Sequence, residues 1–396
     1  MAANAPRRVT RGAVIAGRPA ALSSIQGITT GDALPHINPI ELNLDLMCLI
    51  CFEVTDRKTL ARLCRVSRAF RDAAQPVLHK TVDIASGVNS EPRTKRWLVA
   101  ALRYPDLAAR VRTLVIQIPD QPDDADAFGA AFRACINLRE LHTLRIRPTP
   151  KRNANKATNT VMLKDCSLRL RTFVNSYFTF GPNLAEFLSG QPQLRVLVGP
   201  DAAPINKQLF THLPNLVAVE ADIGSLPDGR PLERIATALL ENGISDIACL
   251  SVYSATLTTL TLTVDSSQKP AEVIRAVGAA CPRLRHLLVT ENHVPSPVTG
   301  RRSTPFRGLP IDDTTYLAAF GELQTLGLLT TTGPDRKEYV VPMARSAIEG
   351  CATLRRVIVS TKRRSCIARR ADADGTITLE EQGQIYRFDK MSMLLE

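Results

Sequence analysis

A short apolar pattern, apolar-x-x-apolar-x-apolar, returns along most of this chain. It stands at Val111/Leu114/Ile116, Leu141/Leu144/Ile146, Leu194/Leu197, Leu216/Val219, Leu257/Leu260/Leu262, Leu284/Leu287/Val289, Leu323/Leu326/Leu328 and Leu354/Val357/Val359, with a degenerate copy at Leu170/Phe173. Several copies follow a helix-like stretch and a Pro-x-Leu turn, as in Gln191-Pro192-Gln193-Leu194, Leu213-Pro214-Asn215-Leu216 and Cys281-Pro282-Arg283-Leu284. One strand-plus-helix unit cannot cover its own apolar face, so neighbours must stack and share a core.

The fold class expected from this is α/β: an irregular leucine-rich-repeat solenoid over residues 85–361, with parallel strands and with helices on the convex side. Candidate helices are 125–135, 231–241, 271–281, 312–320 and 343–349. Copies start about 22 to 41 residues apart, so loop insertions are expected, and the polar stretches 153–159 and 295–305 read as surface loops. Side chains between the core positions of each strand would face the concave surface: Gln117, Arg145, Arg147, Glu220, Thr261, Thr263 and Ser360. Mixed charge with threonine suits a protein target there; the alternative is a merely solvated sheet face.

Ahead of the repeats lies a helical segment. Asn38-Pro39-Ile40-Glu41 reads as a helix start, with Asn38 as cap, Pro39 at the first position and Glu41 closing a capping box. Leu42, Leu46, Leu49 and Ile50 recur at helical spacing, and Ile40, Leu44, Met47, Cys48 and Cys51 add a second apolar stripe. A polar break at Thr55-Asp56-Arg57-Lys58 precedes a second helix with Leu60, Leu63 and Cys64. Ser67 can cap a third, with Phe70, Ala73 and Ala74, which Pro76 is expected to end. Three helices in about 45 residues fall near the size at which a domain needs outside help to be stable. A partner surface would supply the missing burial.

The run from Pro39-Ile40-Glu41-Leu42 through Val66-Ser67-Arg68-Ala69-Phe70-Arg71 to Pro76, Leu78 and Val82 resembles an F-box, in the form abundant in fungal proteins. It departs from the family pattern in carrying Asn38 where a leucine precedes the proline, and Leu46-Met47 for an isoleucine-phenylalanine pair. The resemblance covers residues 34–84. It implies docking on the Skp-type adaptor of a cullin ubiquitin ligase through Pro39, Leu42, Leu46, Leu49, Leu60, Leu63 and Val66. On that reading the chain is a non-catalytic substrate receptor whose array holds a protein target. One alternative is a leucine-rich binding scaffold acting outside a ubiquitin ligase; another is an enzyme with a site assembled from distant residues.

The remaining features narrow the class. Nine cysteines without regular spacing fit free thiols in a reducing compartment, cytoplasmic or nuclear. Residues 1–33 carry Arg7, Arg8, Arg11 and Arg18 but no acid before Asp32, which suits a disordered leader or, alternatively, a mitochondrial transit peptide. No apolar run reaches the roughly 18 residues a membrane span needs, so no membrane partner is expected. The net charge of +12 is scattered, and one Trp and six Tyr offer little base stacking, which argues against nucleic acid. Cys48-x-x-Cys51 lacks a second ligand pair, and the calcium-like stretch from Asp372 to Glu381 would place Arg370 at its first ligand position. No metal or cofactor is therefore expected. The same stretch reads better as a hairpin, Ile367–Arg370 with Thr376–Glu380, followed by a strand at Ile385, Tyr386 and Phe388, within a C-terminal cap over 362–396.

Overall fold

The computed structural model describes residues 42–85, 90–119, 125–145, 158–199, 205–239, 243–265, 268–292, 308–330, 337–361, 363–371 and 375–382. The Asn38–Glu41 start, Arg147, and the strand expected at 385–388 lie outside them.

Among the described residues three helices come first: α1 (Leu44–Glu53), α2 (Arg57–Leu63) and α3 (Arg68–Lys80). Each begins at a polar side chain that takes up amides the helix leaves free. Asn43 Oδ1 accepts from Leu46 N at 2.7 Å, Asp56 from Lys58 N and Thr59 N, and Ser67 Oγ from Phe70 N at 3.1 Å. The cap of α1 is Asn43. Pro76 does not end α3, which continues to Lys80. Its ring is exposed, while Val77 and Leu78 beyond it pack on the core of the module and hold the last turn.

The chain then builds a 13-stranded sheet in strict sequence order. Its strands are β1 (Thr81–Asp83), β2 (Thr113–Ile118), β3 (Glu140–Arg145), β4 (Thr172–Asn175), β5 (Val196–Val198), β6 (Ala218–Glu220), β7 (Arg234–Leu239), β8 (Thr259–Asp265), β9 (His286–Asn292), β10 (Thr325–Leu329), β11 (Arg356–Ser360), β12 (Ser365–Arg370) and β13 (Ile377–Gln382). Neighbours from β1 to β11 are parallel; β12 and β13 form an antiparallel hairpin on β11. Because β1 pairs with β2, the sheet begins directly after α3.

Parallel neighbours need a crossover, and here it is supplied by α4 (Ser90–Arg103), α5 (Pro105–Ala108), α6 (Ala125–Ala134), α7 (Pro182–Ser189), α8 (Pro270–Ala280) and α9 (Lys337–Gly350), with 3-10 turns between other strands. All return over one face. On that face Leu114, Leu141, Phe173, Leu197, Val219, Ile235, Leu260, Leu287, Leu326 and Val357 pair in register from β2 to β11, each 0% exposed. That unbroken row is the spine of the core, each side chain contributing on the order of 1.5–3 kcal/mol of burial. Among the described residues no helix is long and apolar enough to cross a membrane.

Several expected elements differ. Within the segment 231–241 the described residues form strand β7, Arg234–Leu239, not a helix; the copy of the pattern there, Leu232/Ile235/Thr237, is buried and fills the widest gap between the copies visible in sequence. At 312–320 only a 3-10 turn forms, Thr315–Leu317. In the copy of the pattern that contains β3 the core positions are Leu138, just ahead of the strand, Leu141 and Thr143, all 0% exposed, whereas Leu144 is half-buried, so this copy begins three residues earlier than Leu141/Leu144/Ile146 suggests. The C-terminal hairpin forms as expected, with Gly375 at φ 70° closing it.

Candidate functional site

In the N-terminal module, Cys51, Leu60, Ala73 and Ala74 are buried, with Met47, Val54, Leu63, Cys64, Phe70, Val77 and Leu78 packed around them. Two of the four buried residues are alanines, so the core is small. Outside it α1 leaves Leu44 at 54%, Leu46 at 44%, Leu49 at 62%, Ile50 at 38% and Phe52 at 65% exposed, and Val66 after α2 at 67%. Only Asp45 and Glu53 are charged along the ten residues of α1. Apolar surface gathered on one short helix is unusual for a chain that works alone.

Of the candidate adaptor contacts, Leu46, Leu49 and Val66 are exposed and Leu42 is half-buried. Leu60 is only 3% exposed and Leu63 packs against the same core, so these two build the module rather than present a surface. Pro39 lies outside the described residues. Ile50 and Phe52 are exposed residues that sequence reasoning did not single out for docking; the signal was present in a helix apolar on nearly every side. Cys48 is exposed and Cys51 buried, so only one thiol of the Cys-x-x-Cys pair is open to solvent. All nine cysteines are free thiols.

On the face of the sheet opposite the described helices, Gln117, Glu220 and Thr263 are half-buried, and Thr263 Oγ1 lies 3.0 Å from Thr290 Oγ1. Thr261 and Ser360, expected to be open to a target, are 1% and 2% exposed. Thr261 is flanked in register by Ala236 and Leu288, themselves buried, so the neighbouring strands leave it no open surface. Val174, Val196, Val198, Ala218 and Ala236 form a second buried cluster on this face. Arg145 ends β3 opposite Ile118.

A cavity of about 1090 Å³ opens beside α7, lined among others by Lys164, Asp165, Cys166, Arg169, Glu186 and Gln193. Burial pushes the Cys166 thiol up to about 11, against the opposing pull of Arg133, and its Sγ lies 3.6 Å from Met162 O. A thiol held protonated at neutral pH is a poor nucleophile. Among the described residues no group of three or more His, Cys, Asp or Glu side chains is placed to hold a metal ion.

Fold and surfaces together define a class: a solenoid-like α/β array of mostly parallel strands, joined at its first strand to a helical module with an uncovered apolar helix. No protein-family model matches the chain, and no curated protein matches it.

Proposed function

We propose that this chain is an F-box-type substrate receptor, in which α1 and the segment after α2 dock on a Skp-type adaptor, the array holds a protein target, and a cullin ubiquitin ligase acts on what is held. The observation that carries this reading is the exposure of Leu46, Leu49, Ile50, Phe52 and Val66 on a bundle whose own core is four small or medium side chains. They are between 38% and 67% exposed, so covering them would contribute roughly half of the 1.5–3 kcal/mol of a fully buried side chain each, a sum in the range that offsets the entropic cost of docking. The chain's role is to position the target, with the covalent chemistry left to other subunits. The Val66-Ser67-Arg68-Ala69-Phe70-Arg71 motif favours this class of partner over an arbitrary one.

The test is binding of the purified chain to recombinant adaptor. Leu46→Lys with Leu49→Lys is expected to weaken it at least about a hundredfold, since two buried leucines are lost, while thermal unfolding of the array stays unchanged. Undiminished binding by this variant would sink the reading. Co-purification with the adaptor but never with a cullin would instead favour a scaffold outside a ubiquitin ligase.

A further inference from the structure

The residue just before each of the parallel strands β1 to β11 belongs to a backbone ladder. Arg112 N donates to Lys80 O at 2.8 Å, Arg139 N to Arg112 O at 2.8 Å, Arg171 N to Arg139 O at 2.7 Å and Arg195 N to Arg171 O at 2.8 Å. The ladder runs on through Val217, Glu233, Thr258, Arg285, Gln324 and Arg355. Its first five rungs therefore all carry cations, and all five side chains are exposed. They leave the backbone from equivalent positions, so rungs about 4.8 Å apart set them along a line of roughly 19 Å. Arg110 and Arg169, two residues ahead of Arg112 and Arg171, are exposed as well and widen the strip.

Arg112, Arg139, Arg171 and Arg195 form no ion pair among the described residues. The acid nearest in sequence, Glu140, accepts from Thr113 Oγ1. Lys80, at the head of the line, has its Nζ 5.7 Å from the centre of the Phe52 ring, which brings the strip up to α1. The field is felt at His79, half-buried beside Lys80: its imidazole is held below its ordinary value, first by burial and then by the positive charges of Arg110 and Arg57. Like charges held this close repel one another, and an anionic occupant would relieve that repulsion.

We propose that this edge of the array binds an extended acidic peptide segment of a protein partner. Guanidinium groups take carboxylates in two-pronged hydrogen bonds. A strand rises about 3.3 Å per residue, so the line spans about six residues of extended peptide. A single-stranded nucleic acid would want aromatic platforms between its phosphate contacts. The residues that follow the five rungs are Thr81, Thr113, Glu140, Thr172 and Val196, none of which is aromatic. The inference rests on the array being the partner-holding half of the proposed receptor, but it requires neither adaptor nor cullin.

The test is fluorescence anisotropy of a labelled poly-glutamate peptide of about ten residues, long enough to cover the line, with the full chain alone. Binding is expected to weaken as salt rises, and Arg139→Glu with Arg171→Glu is expected to weaken it at least about tenfold. Arg96→Glu with Arg345→Glu, exposed elsewhere on the helix layer, should change it by less than about twofold if the effect is local rather than a matter of net charge. If circular dichroism shows the reversal variant unfolded, Arg139→Gln with Arg171→Gln is read in its place, with the same direction expected. Adaptor binding by either strip variant should stay at the wild-type level, which keeps failure here distinct from failure of the docking reading. The proposal is overturned if the wild-type chain ignores the peptide or if strip and control variants behave alike. It is equally overturned if a single-stranded oligonucleotide of similar length binds more tightly and is lost with the same two arginines.

Discussion

Gly350, the last residue of α9, lies so close to Thr314 that a Cβ built on it would fall 2.5 Å from Thr314 Cβ. The neighbouring Ser346 hydroxyl donates to Ile311 O, so the end of the helix is pressed onto the segment ahead of the Thr315–Leu317 turn. Gly350→Ala must push that contact apart, and a cost of about 1–3 kcal/mol is expected. Gly190, after α7, is the contrast. Its φ is −76°, and an added Cβ would meet nothing nearer than Phe187 O at 3.4 Å. Gly190→Ala should be neutral or stabilising by a few tenths of a kcal/mol through the unfolded chain. Urea unfolding of both variants checks the pair; equal losses would refute the close approach.

The division of labour within the module gives a second expectation. Leu60 is 3% exposed and central to its small core, so Leu60→Ala should cost about 2–5 kcal/mol and melt the module. Leu49, 62% exposed, should tolerate alanine with a change within about 0.5 kcal/mol. Adaptor binding should fall in both variants, but for different reasons. Hydrogen exchange of α3 separates them: protection is lost in Leu60→Ala and kept in Leu49→Ala. Loss of protection in both would mean that Leu49 is a packing residue and the exposed face of α1 no docking surface.

What could be read from the sequence follows from which physical signals are local. The copies at Leu260/Leu262, Leu287/Val289, Leu326/Leu328 and Val357/Val359 all became strands with those residues inside, because alternation inside a strand is written in adjacent residues. Strand β7 was missed because Ala236, Ala238 and Leu239 favour a helix in isolation; their burial on a sheet is imposed by the strands on either side. In β3 the choice of Leu144 over Thr143 as a core residue followed hydrophobicity, whereas register with Asn175 puts the threonine inside, its Oγ1 3.3 Å from Asn175 Oδ1. The cationic line was present as Val111-Arg112, Leu138-Arg139, Leu170-Arg171 and Leu194-Arg195, yet looked like scattered charge. Residues 24 to 32 apart in sequence become neighbours only once the ladder stacks them.

The buried thiols predict the alkaline limit of the fold. Cys281 closes α8, is 0% exposed, and its Sγ lies 3.5 Å from Leu250 O. Burial alone raises the thiol from 9.0 to about 11. Between those values the unfolded chain has given up the proton while the folded chain keeps it, so the folded state binds more protons and its stability falls as pH rises. The contribution is whole below pH 9 and gone above about pH 11. Two pH units at about 1.4 kcal/mol each make the loss on the order of 3 kcal/mol. Cys135, raised from 9.0 to about 12 by burial first and Cys166 second, adds to the decline and extends it upward. Urea midpoints measured from pH 8 to 11 should drop steadily. In Cys281→Ala the same series should start lower, because of the cavity left behind, but decline less steeply. An unchanged slope in the variant would show that this thiol does not carry the pH dependence.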